Sequence, residues 1–242
     1  MKVTIKHYRT DTVLYKAEIP EGTPSYLQMR AALEIAVVSR VNLDGANLDG
    51  ARLDCAILDG ASLVGARFAG ASLTCVSLDG AILDGANLDG ANLAGATLAR
   101  ASLDGASLIG ASFAGASLVG ASLVGAILDG ANLDGANLTG ASLDGASLDG
   151  ASFAGAILDG ASLAGPRPIL QIGPIGSRSA YLVAYMTDAG VMIKAGCFLG
   201  TIAEFAAAVA DTHGSSIHGK EYAAAIAMIE AHAVIWAGEV TQ

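Results

Sequence analysis

Along residues 41–165 apolar side chains recur at the first and third place of every five, while the second place is mostly Asn or Ser. Twenty-five five-residue phrases patterned on Ala-Asn/Ser-Leu-Asp-Gly follow one another across these 125 residues with no insertion or deletion. A helix would place its apolar residues every 3.6 positions and a strand every second one. A strict period of five fits neither, so it predicts a repeat architecture in which each unit buries its face against its neighbours. The third position is Leu throughout except Phe68, Phe113 and Phe153, giving a core column that begins Leu43, Leu48, Leu53. The first position is Ala except Val41 and Val76, and the fifth is Gly except Cys55, Cys75 and Arg100.

These choices read as in, out, in, turn, turn. Three extended residues send the first and third side chains to one side and the second to the other. Asp-Gly then turns the corner, because Gly reaches positive φ freely and Asp bonds nearby backbone. If each phrase is one side of a square, four make a coil of 20 residues, stacked at about 4.8 Å. The 25 phrases give about six coils, with each buried Leu contributing on the order of 1.5–3 kcal/mol. The expected fold is mainly β, a β-solenoid with small α+β pieces at both ends.

The phrase resembles that of the pentapeptide-repeat family, whose pattern centres on Leu or Phe with Ala two residues earlier. The resemblance covers residues 41–165 and implies a right-handed quadrilateral β-helix. Some members of that family inhibit DNA gyrase by resembling an acidic rod of duplex width. The resemblance therefore offers a second functional expectation: a DNA-mimicking inhibitor or protector of a type II topoisomerase.

The end pieces read differently. A solenoid end exposes unpaired backbone and needs a cover. Residues 1–40 supply one: a hairpin of 3–8 and 12–19, then a helix to about Ser39. For that helix Thr23 is the expected N-cap, with Pro24 at the first position. Leu27, Ala31, Ile35 and Val38 form its expected inner face. Residues 166–242 form a larger α+β piece after the break at Pro166 and Pro168. Strands are expected at 169–172, 180–186 and 191–195. Thr201 and Glu204 then form a capping box for a helix ending near His213. A second helix follows over 220–237, with Tyr222, Ile226, Ile229, Ala233 and Trp236 inward.

Charge changes the picture. The repeats hold thirteen Asp and three Arg, a balance of −10 that equals the net charge of the whole chain. Such a rod disfavours direct nucleic-acid binding, which needs Lys and Arg to neutralise phosphate. Charged residues also interrupt every long apolar run, which argues against a membrane span. The first residues lack the apolar core of a signal peptide. With three Cys, this favours a reducing cytoplasm. Cys55 and Cys75 lie one expected coil apart at a corner, either as two free thiols or as an oxidisable pair; parallel Cβ vectors count against pairing.

No catalytic constellation, cofactor site or metal site is legible. The repeats contain no His, so the abundant Ser have no base. His213 and His218 flank a Gly-Ser-Ser turn with Cys197 upstream, but four ligands at zinc spacing are missing. One belt stands apart: the fourth position is apolar at Ala94, Ala99, Ile109, Ala114, Val119 and Val124, interrupted only by Asp104. It is a candidate lateral contact with a partner or a second copy. Residues 77–93 recur nearly unchanged at 122–138, nine phrases on, which rotates identical outer residues to another side of the square. That reads as phrase expansion or consensus design shaped by the core. The preferred expectation is a non-enzymatic scaffold, with protein partners or self-association, whose specific contact lies in 166–242.

Overall fold

A computed structural model describes residues 1–148, 150–157, 161–162, 169–176, 180–187, 190–196 and 198–239. Parallel bridges join each second-position residue to the one 20 later, from Asn47–Arg67 to Ser142–Ser162. Four phrases therefore make one coil. The ladder is regular. Leu48 donates its N–H to the Arg67 carbonyl at 2.7 Å, Gly50 to Ala69 at 2.9 Å, and Arg67 back to Ala46 at 2.9 Å. Three-residue sides leave one bridging residue each, so the coils contain bridges rather than long strands.

The corner follows from the last two residues of the phrase. Ala51 donates to the Leu48 carbonyl at 3.0 Å, and Gly50 between them has φ 65°. Positive φ at the third residue only is the signature of a type II turn. The non-Gly corners Cys55, Cys75 and Arg100 adopt the same φ, 54–58°. Inside, the described first- and third-position side chains form one continuous buried cluster, with Val41, Ala51 and Ala161 half-buried against it; Leu43, Leu48, Leu53, Phe68, Phe113 and Phe153 are all within it. Alanine beside leucine keeps the square narrow enough to fill.

Strands β1 (Lys2–Lys6) and β2 (Val13–Glu18) pair antiparallel, and α1 (Ser25–Val38) follows. Together they cover the first coil. Asn47 N–H reaches the Lys6 carbonyl at 2.8 Å, Arg30 Nη1 donates to the Asp54 carbonyl at 2.9 Å, and Glu34 Oε1 accepts from Ile57 N–H at 3.2 Å. The start of α1 corrects the sequence expectation. Pro24 is the cap residue and no side chain caps the helix, because the Thr23 hydroxyl donates to the Pro20 carbonyl at 2.7 Å. The buried face is Ala32, Leu33 and Ala36; of the expected face Ala31 and Ile35 pack half-buried against the same core, while Val38 is 85% exposed. Small Ala32 and Ala36 let the helix backbone approach closely, so the helix is rotated from the face chosen on sequence.

At the other end β3 (Ile169–Ile175), β4 (Ala180–Thr187), β5 (Gly190–Ala195) and β6 (Phe198–Thr201) form an antiparallel sheet in that order. Helices α2 (Ile202–His213) and α3 (Ile217–Glu239) follow. Strand alternation divides β4 between two cores. Val183 and Tyr185 join the cluster of the rod, whereas Leu182 and Ala184 pack with Ile193, Phe205, Val209, Ala225, Ile229 and Trp236. Rod, sheet and helices are thus stacked layers. The capping box at α2 is present: Glu204 N–H donates to Thr201 Oγ1 at 3.2 Å and Glu204 Oε2 accepts from Thr201 N–H at 2.8 Å. The Thr201 N–H and hydroxyl hold the exposed Glu204 carboxyl below its usual range. Pro166, Pro168, Leu163 and Cys197 lie outside the described residues.

Candidate interaction surfaces

The outer polar residues of the rod are hydrogen-bonded between coils. The fourth-position Asp reaches up one level, to the side chain 18 residues on and the N–H 20 residues on. Asp104 Oδ1 accepts from Ser122 Oγ at 2.5 Å and from Val124 N–H at 3.0 Å. Asp44 serves Ser62 and Val64 at 2.7 and 3.0 Å, and Asp49 serves Arg67 Nε and Ala69 N–H at 2.8 and 2.9 Å. Asn, found only where no Asp lies below, bonds within its own phrase. Asn92 Oδ1 accepts from Ala94 N–H at 3.1 Å and Asn137 from Thr139 N–H at 3.0 Å.

These rungs impose a rule on the sequence. Eleven repeat Asp have a repeat residue 18 positions later: nine Ser, one Thr and one Arg, never Asn or Ile. Each of the six repeat Asn has Ala, Thr or Val 18 positions earlier, or lies in the first coil. The outer residues therefore follow coil geometry as well as phrase expansion.

Asp54 shows the electrostatic effect. A hydrogen bond from the Ser72 hydroxyl, aided by Thr74 and opposed by burial, holds its carboxyl below the ordinary range. A lowered folded pKa stabilises above the unfolded value near 3.9 and loses that stabilisation as pH falls through the folded pKa. We expect the stability gap between wild type and Asp54→Asn to be constant above about pH 5 and to shrink below about pH 4. Denaturant melts over this range will read it.

The apolar belt falls on all four corners of the coil. Val124 stacks over Asp104 on one side and Ile109 over Asp89 on the next; Ala94 and Ala114 share the third, and Ala99 and Val119 the fourth. Ile109, Val119 and Val124 are exposed, and the three alanines are half-buried. Ile109 and Ile127, like Val64 and Ile82, stand 18 residues apart, so apolar pairs replace polar rungs at these points.

Near the first coil, the Tyr8 ring is flanked by Arg9 and Arg67, each with its guanidinium carbon 5.6 Å from the centroid. A groove of about 900 Å³ runs between α1 and the first coil, along Arg30, Glu34, Val38, Ile57 and Asp59. At the opposite end His213 and His218 rings lie 6.3 Å apart, and His218 Nδ1 is 3.2 Å from Glu221 Oε2. Glu221 Oε2 also accepts from Gly176 N–H at 3.1 Å, so this group ties α3 to β3. Among the described residues no group of three His, Cys, Asp or Glu side chains is placed to hold a metal ion. No helix of the described residues is long and apolar enough to cross a membrane.

The exposed surface of α3 carries an apolar stripe beside exposed Lys220, Glu221 and Glu230. Met228 is 47% and Val234 74% exposed, in line with exposed Ala224, Ala227 and Ala231. Sequence reasoning fixed only the inner stripe of this helix; the outer one was readable from the same apolar composition.

A coil of four five-residue sides, stacked in register, defines a solenoid repeat protein. The chain belongs to the pentapeptide-repeat family, whose model, described as pentapeptide repeats, matches at 36–70, 61–100, 71–108, 91–130 and 126–165. Among solved structures it is similar to HetL of the cyanobacterium Nostoc, a pentapeptide repeat protein involved in heterocyst differentiation regulation. Identity there is 38% over 50% of this chain and 59% of that one, with a TM-score of 0.35. It is also similar to a pentapeptide repeat protein of the Arabidopsis thaliana thylakoid lumen, at 35% identity over 39% of this chain and 59% of that one, TM-score 0.26. QnrB1, a plasmid-mediated fluoroquinolone resistance protein, matches at 21% identity over 50% of this chain and 65% of that one, TM-score 0.28. The chain spans about three-fifths of the length of these solved relatives. No curated protein sequence matches it.

Proposed function

We propose that the protein is a non-enzymatic interaction scaffold. Its three parts are an N-terminal cover (1–40), a right-handed four-sided solenoid of about six coils (41–165) and a C-terminal α+β unit (166–242) that binds a protein partner. The observation that carries this reading is the outer α3 face, where Met228 and Val234 meet solvent while Ala225, Ile229 and Trp236 fill the core beneath. An exposed apolar stripe on a helix already packed by its other face is suited to a partner. The belt around the rod is the weaker surface for self-association, since it divides six residues among four corners. The same reading takes the chain to be cytoplasmic, on its odd cysteine count, and to bind neither nucleic acid nor membrane.

The gyrase-mimic alternative asks for carboxylates presented freely along one face. Here the rung aspartates are engaged by the coil above, and every side interrupts them with Ala, Val, Thr or Ile. The test runs two measurements on the full chain. Supercoiling by purified gyrase should proceed undiminished at micromolar protein. A partner captured from lysate should be lost when Met228→Glu and Val234→Asp are introduced together. Inhibition of gyrase, or capture unchanged by the paired substitutions, overturns the proposal.

A further inference from the structure

Successive coils of the rod are joined by a fixed exchange of backbone hydrogen bonds. On the column that starts at residues 56–60, Leu58 donates to the Ser77 carbonyl at 2.8 Å, Gly60 to the Asp79 carbonyl at 2.9 Å, and Ser77 back to the Ala56 carbonyl at 2.9 Å. The first coil has no coil beneath it. Its Ile57 and Asp59 carbonyls match those of Ser77 and Asp79, yet no described residue donates to either. Ile57 N–H meets the Glu34 carboxylate at 3.2 Å in place of a carbonyl from below, and Arg30 Nε holds that carboxylate at 3.0 Å. Helix α1 thus supplies the acceptor of the missing strand but neither of its two donors. Unpaired backbone along such an edge is a template for another extended chain.

The groove of about 900 Å³ between α1 and this side gives such a chain room. Its apolar walls meet solvent, with Val38 85% and Ile57 62% exposed. Most of its charges are engaged. Arg30 binds Glu34 and the Asp54 carbonyl, and Asp59 Oδ1 accepts from Ser77 Oγ and Asp79 N–H in the coil above. Arg40 lines the same groove and is exposed, and its guanidinium has no partner among the described residues. A guanidinium so placed is matched by a carboxylate.

We propose that this edge takes an extended peptide segment of a partner protein by strand addition. Two alternate N–H groups of the peptide donate to the Ile57 and Asp59 carbonyls. An aliphatic side chain lies against Val38 and Ile57, and a carboxylate pairs with Arg40. The site stands at the opposite end of the molecule from the α3 face and does not depend on it.

The test is fluorescence anisotropy of the labelled peptide Thr-Val-Thr-Val-Asp-Thr, titrated with the full chain. We expect saturable binding. N-methylation of one set of alternate peptide amides should weaken it about tenfold or more, the scale of two lost hydrogen bonds, while methylation of the other set leaves it unchanged. Arg40→Glu should weaken it roughly fivefold, and lysine in place of the peptide's aspartate should restore it. Arg40 has φ 54°, and glutamate keeps the same Cβ there, so the substitution adds no backbone strain. Val38→Ser changes an exposed position and should weaken binding by removing the apolar wall. Absence of saturable binding, equal loss from both methylated sets, or no rescue by the lysine peptide overturns the proposal. So does a dimer in sedimentation that Val38→Ser dissolves, which would mean that a second copy occupies the edge.

Discussion

Replacing Phe113 by alanine is expected to cost the rod about 3–5 kcal/mol, the range for removing a buried aromatic ring. Phe113 is fully buried in the middle of the stack, one coil above Leu93 and one below Leu133. Its N–H bonds the Asn132 carbonyl at 2.7 Å and Leu93 bonds Ser112 at 2.7 Å, so the backbone around the ring is held on both levels. A ladder this regular cannot collapse into the void, which keeps the cavity open and its cost high. Domains of this kind have a total stability of about 5–15 kcal/mol, so the loss is a large share. Because each coil touches only its neighbours, the damage should be local. Hydrogen exchange should speed up over residues 91–135 and stay slow in the first coil. Phe113→Leu, the residue used elsewhere in the column, should cost less than about 1.5 kcal/mol. Equal effects of Leu and Ala would mean that the ring is not part of the stack.

The column was readable because a period of five has no helical or strand alternative. The rungs were not, although every residue in them was visible. Asp104 and Ser122 are 18 apart in sequence. That separation has meaning only after the coil is known to be 20 residues and the two groups are known to sit two places apart along the side. On sequence the aspartates read as corner residues that bond nearby backbone, whereas Asp104, Asp84 and Asp54 each accept a hydroxyl and an N–H from the coil above. Helix α1 failed for a different reason. Leu27, Met29, Ala31, Ala32, Leu33, Ile35, Ala36, Val37 and Val38 are apolar on every side, so periodicity could not choose a face and docking on the first coil did. Strand β6 was missed because Phe198, Leu199, Gly200 and Thr201 carry no alternation and run straight into the capping box of α2. The histidines gave no metal site on sequence. Their structure explains their placing instead, with His213 6.3 Å from His218 and 5.4 Å from Tyr222.

Val183→Asp should separate the C-terminal sheet from the rod and leave the sheet's own core intact. Val183 is 1% exposed and belongs to the rod's cluster, whereas Leu182 beside it belongs to the helices' cluster. A carboxylate without a partner at Val183 should cost roughly 3–5 kcal/mol, the scale of an uncompensated interior charge. Helices α2 and α3 keep Leu182, Ala184 and Ile193 beneath them, so their circular dichroism should survive. Leu182→Asp strikes the opposite face and should reverse the pattern: the rod's end stays covered and the signal of α2 and α3 falls. Uncovering the last coil exposes apolar cross-section and unpaired backbone, the condition under which strand edges pair between molecules. Light scattering should therefore show Val183→Asp self-associating with concentration, while Leu182→Asp loses helix first. If both variants scatter and melt alike, the sheet does not act as a cover and the layered order of rod, sheet and helices is wrong.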